Sequence, residues 1–257
     1  MRADLSGKVA LITGSTKGIG REIALLFAEN GADVALNARS EGPAAEVSRQ
    51  IEAWGRRAIF EPADIFEYAS VKQMVDNVLR RMGQIDILVV SGGSTEEIAP
   101  GFFRDLDPAS YLNFAKSQWI SRLYCVRAVL DHMIERQAGK IVLLGTDAGR
   151  WPTPGESLPG GSGAALVMST KVLAREFTRW KIRINTLSTT VTLDTPGLDM
   201  VLSSSPAAKV FQKALKHQPF PLKSADVAQA TLFLASEASD AITGQTLSVN
   251  GGLCFPG

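Results

Sequence analysis

The sequence predicts an α/β protein built on a doubly wound, mostly parallel sheet with helices on both faces, and three observations carry that reading. The apolar run Val9–Ile12 is followed by Gly14, Gly18 and Gly20, and then by the periodic pairs Ile23-Ala24 and Phe27-Ala28. That is the pattern of a buried strand, a glycine loop and a helix. Three more strand segments, Val34-Ala35-Leu36, Ala58-Ile59-Phe60 and Ile87-Leu88-Val89-Val90, alternate with amphipathic stretches. Such alternation favours parallel strands joined by right-handed crossovers. Finally, 257 residues with 45% apolar composition suffice to bury one core, so a single domain spanning 1–257 is expected.

Each element follows from local chemistry. Glycines at 14, 18 and 20 allow left-handed backbone and close approach of a ligand, and the helix that follows offers free N–H groups and a positive dipole end to a phosphate. Gly31-Ala32 stops that helix before the second strand, which ends at Asn37-Ala38-Arg39-Ser40. A helix over residues 43–54 leads to the third strand, and residues 70–82 form another, with Val71, Met74, Val75, Val78 and Leu79 on one face. Gln84-Ile85-Asp86 opens the fourth strand. The segments 150–162 and 189–223 are rich in Pro, Gly, Ser and Thr and read as irregular.

Composition excludes several classes. A net charge of +1 without charge runs gives no reason to expect nucleic acid or an anionic membrane as partner. The start, Met1-Arg2-Ala3-Asp4-Leu5-Ser6, carries no apolar signal, and no apolar stretch nears the roughly 18 residues needed to span a bilayer, so a cytoplasmic location is expected. Cys125 and Cys254 lack metal-ligand spacing, and no metal site is expected.

The loop Thr13-Gly14-Ser15-Thr16-Lys17-Gly18-Ile19-Gly20 resembles the cofactor loop of the short-chain dehydrogenase/reductase family, a Rossmann-like fold. The resemblance continues in Asp64-Ile65, in Asp226-Val227-Ala228, and in the terminal Thr243-Gly244-Gln245 to Asn250-Gly251-Gly252. It implies that Gly14, Ser15, Thr16, Lys17, Gly18, Ile19 and Gly20 hold a dinucleotide, with Asp64 and Ile65 against its adenine. In dinucleotide folds an acidic residue at the end of the second strand holds the ribose 2′-hydroxyl, whereas a basic one pairs with a 2′-phosphate. Here Ala38 and Arg39 stand there, and Lys17 adds a second cation, so NADP is favoured over NAD if either is bound.

Family members transfer hydride with a tyrosine, a lysine four residues later, a serine thirteen residues before the tyrosine, and an asparagine on the preceding helix. A nearby ammonium is what makes a tyrosine, with a reference pKa near 10, acidic enough to exchange a proton. Flanking matches at Gly139-Lys140-Ile141-Val142, Val129-Leu130-Asp131-His132-Met133 and Lys171 to Glu176 put these positions at Pro159, Gly163, Thr146 and Gln118. Neither Pro159 nor Gly163 can do the chemistry. The tyrosines, Tyr68, Tyr111 and Tyr124, all precede Thr146, and Lys171 lies about 12 Å beyond Gly163 along a helix. Thr146 and Asp147 are the candidates for atypical chemistry, with Arg122, Glu156, Ser162, Thr189, Thr190 and Thr192 nearby and 189–223 matching the substrate lid.

The resemblance therefore implies a family member with a degenerate active site, working as a non-catalytic subunit or regulator beside an active relative. An NADP-dependent oxidoreductase or a non-redox enzyme using atypical residues is the alternative. A dimer or tetramer, homo- or hetero-oligomeric, is expected, with Gly160, Gly161, Ser162, Gly163, Ala164 and Ala165 permitting close approach of a neighbouring backbone.

Overall fold

The computed structural model describes residues 3–93 and 98–256. Met1 and Arg2, part of the stretch read for a signal segment, lie outside them. The strands are β1 (Val9–Ile12), β2 (Asp33–Ala38), β3 (Ala58–Pro62), β4 (Ile87–Val90), β5 (Gly139–Thr146), β6 (Ile182–Thr189) and β7 (Thr246–Val249). They form one seven-stranded sheet in the order β3-β2-β1-β4-β5-β6-β7, with every pair parallel. The short apolar strands are buried on both faces, as parallel strands covered by helices must be.

One face is covered by α1 (Gly18–Glu29), α2 (Ala44–Ala53) and α9 (Ser224–Ala235), whose Ile23, Phe27, Val47, Ile51, Val227 and Leu232 pack on Ile12, Leu36, Val89 and Leu187. The other is covered by α3 (Tyr68–Met82), α5 (Ser121–Arg136) and α6 (Ser157–Phe177), with Met74, Val78, Val129, Met133, Leu166 and Phe177 on Leu11, Leu88, Ile141 and Ile184. The predicted doubly wound sheet is thus the observed one. His132 Nε2 accepts the Ile85 N–H at 3.2 Å, a structural duty on that second face. Among the described residues no helix is long and apolar enough to cross a membrane.

Chain order decides where a ligand fits. The chain runs outward from β1 to β3 on one side, then returns to β4 on the other side of β1. The loops leaving β1 and β4 therefore diverge, and a crevice opens at the carboxyl ends of the strands.

Three segments depart from the sequence reading. The region 150–162, expected to be irregular, enters α6 at Ser157. Pro159 sits in the first turn, where its missing N–H would have had no helical partner, and packing of Gly160 and Gly163 on the turn at 147–149 overrides weak helix propensity. The region 189–223 contains α7 (Pro196–Ser204) and α8 (Ala208–His217). Thr195 caps α7 by accepting the Leu198 N–H at 3.3 Å with Pro196 at the first position, a start signal within the polar stretch. Lastly, the helix before β5 is broken: α4 (Tyr111–Ala115) joins α5 through a π-helical turn, Lys116–Ile120, which carries Gln118.

Candidate functional site

A cleft of about 480 Å³ runs across the carboxyl ends of β1 to β6. Its floor at the centre is the glycine loop. Gly14 and Gly18 hold left-handed backbone, φ +59° and +51°, which a side chain would strain. At Gly20 the constraint is contact, because a Cβ there would lie 2.2 Å from the Gly14 carbonyl oxygen. No side chain caps the start of α1, so its first N–H groups face the cleft unclaimed by the protein.

Toward β2 and β3 the wall is formed by Lys17, Ala38, Arg39, Asp64 and Ile65. No ion pair ties Lys17 or Arg39 among the described residues. Asp64 gives one carboxylate oxygen to the Phe66 N–H at 2.9 Å and borders the cleft with the remainder. Ser15 and Thr16, expected to hold the cofactor, are both buried, and Ser15 Oγ accepts the Asn37 N–H at 2.9 Å. That bond and the two from Asn37 Nδ2 to the Glu61 and Ala63 carbonyls staple the loop to β2 and β3.

Toward β4, β5 and β6 the lining is Ser91, Gly92, Gly93, Gln118, Arg122, Leu144, Gly145, Thr146, Glu156, Thr189, Thr190 and Thr192, roofed by Leu198, Val201 and Phe211 of α7 and α8. Thr146 Oγ1 accepts the Ala148 N–H at 3.2 Å, capping the short turn Asp147–Gly149. Thr189 and Thr192 hydroxyls pair at 3.1 Å. The roof is anchored below by Leu193 N donating to the Leu222 carbonyl and by Gln218 Nε2 donating to the Val191 and Asn250 carbonyls.

Pro159 and Gly163 are both buried on the first turns of α6. A Cβ built on Gly163 would lie 3.0 Å from Thr146 Cγ2 and 3.1 Å from Gly149 Cα. The helix thus presses on the end of β5 through bare backbone. Of the stretch 160–165, expected to permit close approach of a neighbouring chain, Gly160 and Gly163 face inward on Ala148 and Gly149, while Gly161 has open space beside it.

Asp147, a candidate general base, does not border the cleft. It is 2% exposed, and its carboxylate accepts from the Ser188 hydroxyl, from the Ser248 hydroxyl at 2.7 Å and from Asn250 Nδ2 at 2.7 Å. Those bonds, with Cys254 Sγ donating at 3.6 Å, tie β5, β6, β7 and the carboxyl-terminal turn together and fill the carboxylate's acceptor sites. Thr146 remains in the cleft, but without a base behind it.

Glu156, like Arg122, was expected near the pocket without an assigned role. It is half-buried, borders the cleft, and burial pushes its carboxyl up to about 7. No hydrogen bond or ion pair holds it among the described residues. A raised pKa means the folded state keeps a proton that the unfolded state gives up, so stability falls as pH rises from 4.5 through about 7. Glu156→Gln removes the penalty. We expect it to stabilise the protein by about 1–2 kcal/mol at pH 8, after discounting for partial solvation, and to change little at pH 4; thermal unfolding at the two pH values checks this. Among the described residues, no group of three His, Cys, Asp or Glu is placed to hold a metal ion.

The site's geometry now meets its relatives. The family described as enoyl-(acyl carrier protein) reductase matches residues 14–254, and the chain belongs to the short-chain dehydrogenase/reductase family. It is 30% identical over 251 residues to the 3-oxoacyl-[acyl-carrier-protein] reductase FabG of Staphylococcus epidermidis, covering 96% of this chain and 98% of that one. To the 2,3-dihydro-2,3-dihydroxybenzoate dehydrogenase of Bacillus subtilis it is 31% identical over 254 residues, with 96% of each covered. A solved dehydrogenase/reductase from Sinorhizobium meliloti 1021 superposes with a TM-score of 0.85 at 28% identity over 98% of this chain and 97% of that one. Carveol dehydrogenase from Mycobacterium avium, solved in complex with NAD, shares the fold with a TM-score of 0.87 at 22% identity, covering 98% and 99% of the two chains. The expected fold and family therefore stand, and the relatives are named as reductases and dehydrogenases.

The residues present fit a nicotinamide dinucleotide. Uncapped N–H groups at α1 suit a pyrophosphate, and the β2–β3 side suits the adenosine, which leaves the β4–β6 side for the nicotinamide.

Proposed function

We propose that this chain is a dinucleotide-binding member of the family that has lost the tyrosine–lysine chemistry and serves as a non-catalytic subunit or regulator beside an active relative. The observation that carries the reading is the nicotinamide half of the cleft, whose described lining holds no tyrosine, no histidine and no lysine. Tyr68 and Tyr124 pack against each other in a tilted pair with ring centroids 5.5 Å apart, and Tyr111 packs on Phe103, so these rings are engaged elsewhere. Pro159 and Gly163, at the positions the family resemblance gives to tyrosine and lysine, supply neither an acid nor a cation. When bound, the dinucleotide would supply a hydride; this chain's residues hold and shield it but offer no conventional route for the accompanying proton.

The unpaired cations at the β2 end support NADP over NAD, since a 2′-phosphate would find Lys17 and Arg39 where an acidic residue is absent. Replacing both by alanine should weaken NADPH binding by about 10- to 100-fold and leave NADH nearly unchanged, as read by calorimetry. Equal losses for both would remove the 2′-phosphate role.

An oligomer is supported by the outer surface of α4 and α6, where Leu112, Met168 and Val172 are 78%, 59% and 49% exposed beside open Gly161. The test is purification from the native cell: the reading expects a homologous active subunit to co-purify in stoichiometric amount. Recovery of the chain only as a homo-oligomer that turns over carbonyl substrates would overturn it.

A second reading is favoured by Glu156, whose unpartnered carboxyl could exchange a proton in place of tyrosine. Its mark would be turnover by the isolated chain that Glu156→Gln abolishes.

A further inference from the structure

Arg122 is an unusual cation for a cleft of this kind. It is 3% exposed, and its guanidinium is held by neutral groups alone. Nε donates to the Leu144 carbonyl at 3.3 Å, Nη1 to the Ser117 carbonyl and to Ser121 Oγ at 3.1 Å, and Nη2 to the Gly92 carbonyl at 2.9 Å. None of the ion pairs among the described residues involves it. Leu144 lies near the end of β5 and Gly92 just beyond β4, so the charge sits between the two strand ends that floor the nicotinamide half. Room for it depends on Gly93, where a Cβ would lie 2.9 Å from Nη1. Burial draws the guanidinium down only to about 10, so it stays charged at neutral pH.

We propose that Arg122 puts an uncompensated positive charge in the half of the cleft left for the nicotinamide and so selects the reduced dinucleotide, whose ring is neutral, over the oxidised one, whose ring is cationic. Resting on the dinucleotide-binding reading, this gives the site a purpose that needs no catalysis: it reports the redox state of the cofactor pool. The other charges divide cleanly. Lys17, Arg39 and Asp64 face the phosphate and adenosine groups, which are the same in both forms, and cancel from the ratio of affinities. Asp147 is locked away against Arg150, Ser188 and Ser248 outside the cleft. Glu156 is the one other ionisable group lining the described nicotinamide half, and it is mostly neutral at pH 6. Two unit charges within about 10 Å of each other at an effective dielectric near 20 repel enough to shift an affinity by about tenfold or more.

The experiment is calorimetric titration of the full chain at pH 6 with NADPH, NADP⁺ and 2′-phospho-ADP-ribose, which has no ring. NADPH should bind at least about tenfold tighter than NADP⁺, and NADP⁺ no tighter than the ringless probe. Arg122→Lys, which keeps the charge, should retain most of the preference, and Arg122→Gln, checked for cooperative unfolding, should bring the two forms toward parity. If NADP⁺ binds as tightly as NADPH to the unaltered chain, or clearly tighter than the ringless probe, the inference fails whether or not the glutamine variant folds. An unchanged preference in folded Arg122→Gln also overturns it. Absence of binding by all three ligands defeats the dinucleotide reading itself, a distinct outcome.

Discussion

Gly20→Val is expected to abolish dinucleotide binding and to lower stability by about 2–4 kcal/mol. The space a side chain would need is filled by backbone: the Gly14 carbonyl oxygen at 2.2 Å, its carbon at 2.8 Å and Ser15 Cα at 3.1 Å from a built Cβ. Backbone cannot swing aside as a flexible side chain does, so either the loop or the first turn of α1 must move. Both movements withdraw the N–H groups that suit a phosphate. The loop is also stapled to β2 through Ser15 and Asn37, and to β4 through Thr13, whose hydroxyl donates to the Ser91 carbonyl at 2.7 Å. Displacement therefore spreads to three strands. Calorimetry and thermal unfolding read the two effects separately.

Asp147→Ala is expected to cost about 3–5 kcal/mol, a fall in Tm of roughly 6–20 °C for a chain of this size. The substitution leaves the Ser188 and Ser248 hydroxyls and the Asn250 amide without their shared acceptor. It also strips Arg150 of the carboxylate 3.8 Å from its guanidinium. Because Asp147 stands outside the cleft, NADPH affinity measured well below the new Tm should be nearly unchanged. A large loss of affinity without loss of stability would instead return Asp147 to the site.

The contrast between these two positions marks what was legible in the sequence. β1, β4 and the helices between them were readable because a buried parallel strand is a continuous apolar run and an amphipathic helix repeats every 3.6 residues. The glycine loop was readable from its spacing, yet the inward turn of the Ser15 side chain was not, because it depends on Asn37, a partner on the next strand. Asp147 looked like a free base beside Thr146; its partners lie 41 to 103 residues away and carry no local signal. Arg122 was visible one turn from Gln118, but the four acceptors that bury it come together only when β4, β5 and the π-helical turn meet. The helical start of α6 was hidden for the opposite reason. Gly160 and Gly161 fall in a stretch whose composition reads as irregular, and only the family resemblance put 159–176 on one helix; Gly160 and Gly163 are what lets that helix lie against the turn at 147–149.

The central claim, a cofactor cleft kept and dehydrogenase chemistry lost, is tested most directly by following NADPH consumption by the purified chain alone, at saturating NADPH, with 3-oxoacyl thioesters and simple ketones. The account predicts no consumption above a protein-free control. Sustained turnover by the isolated chain would contradict it.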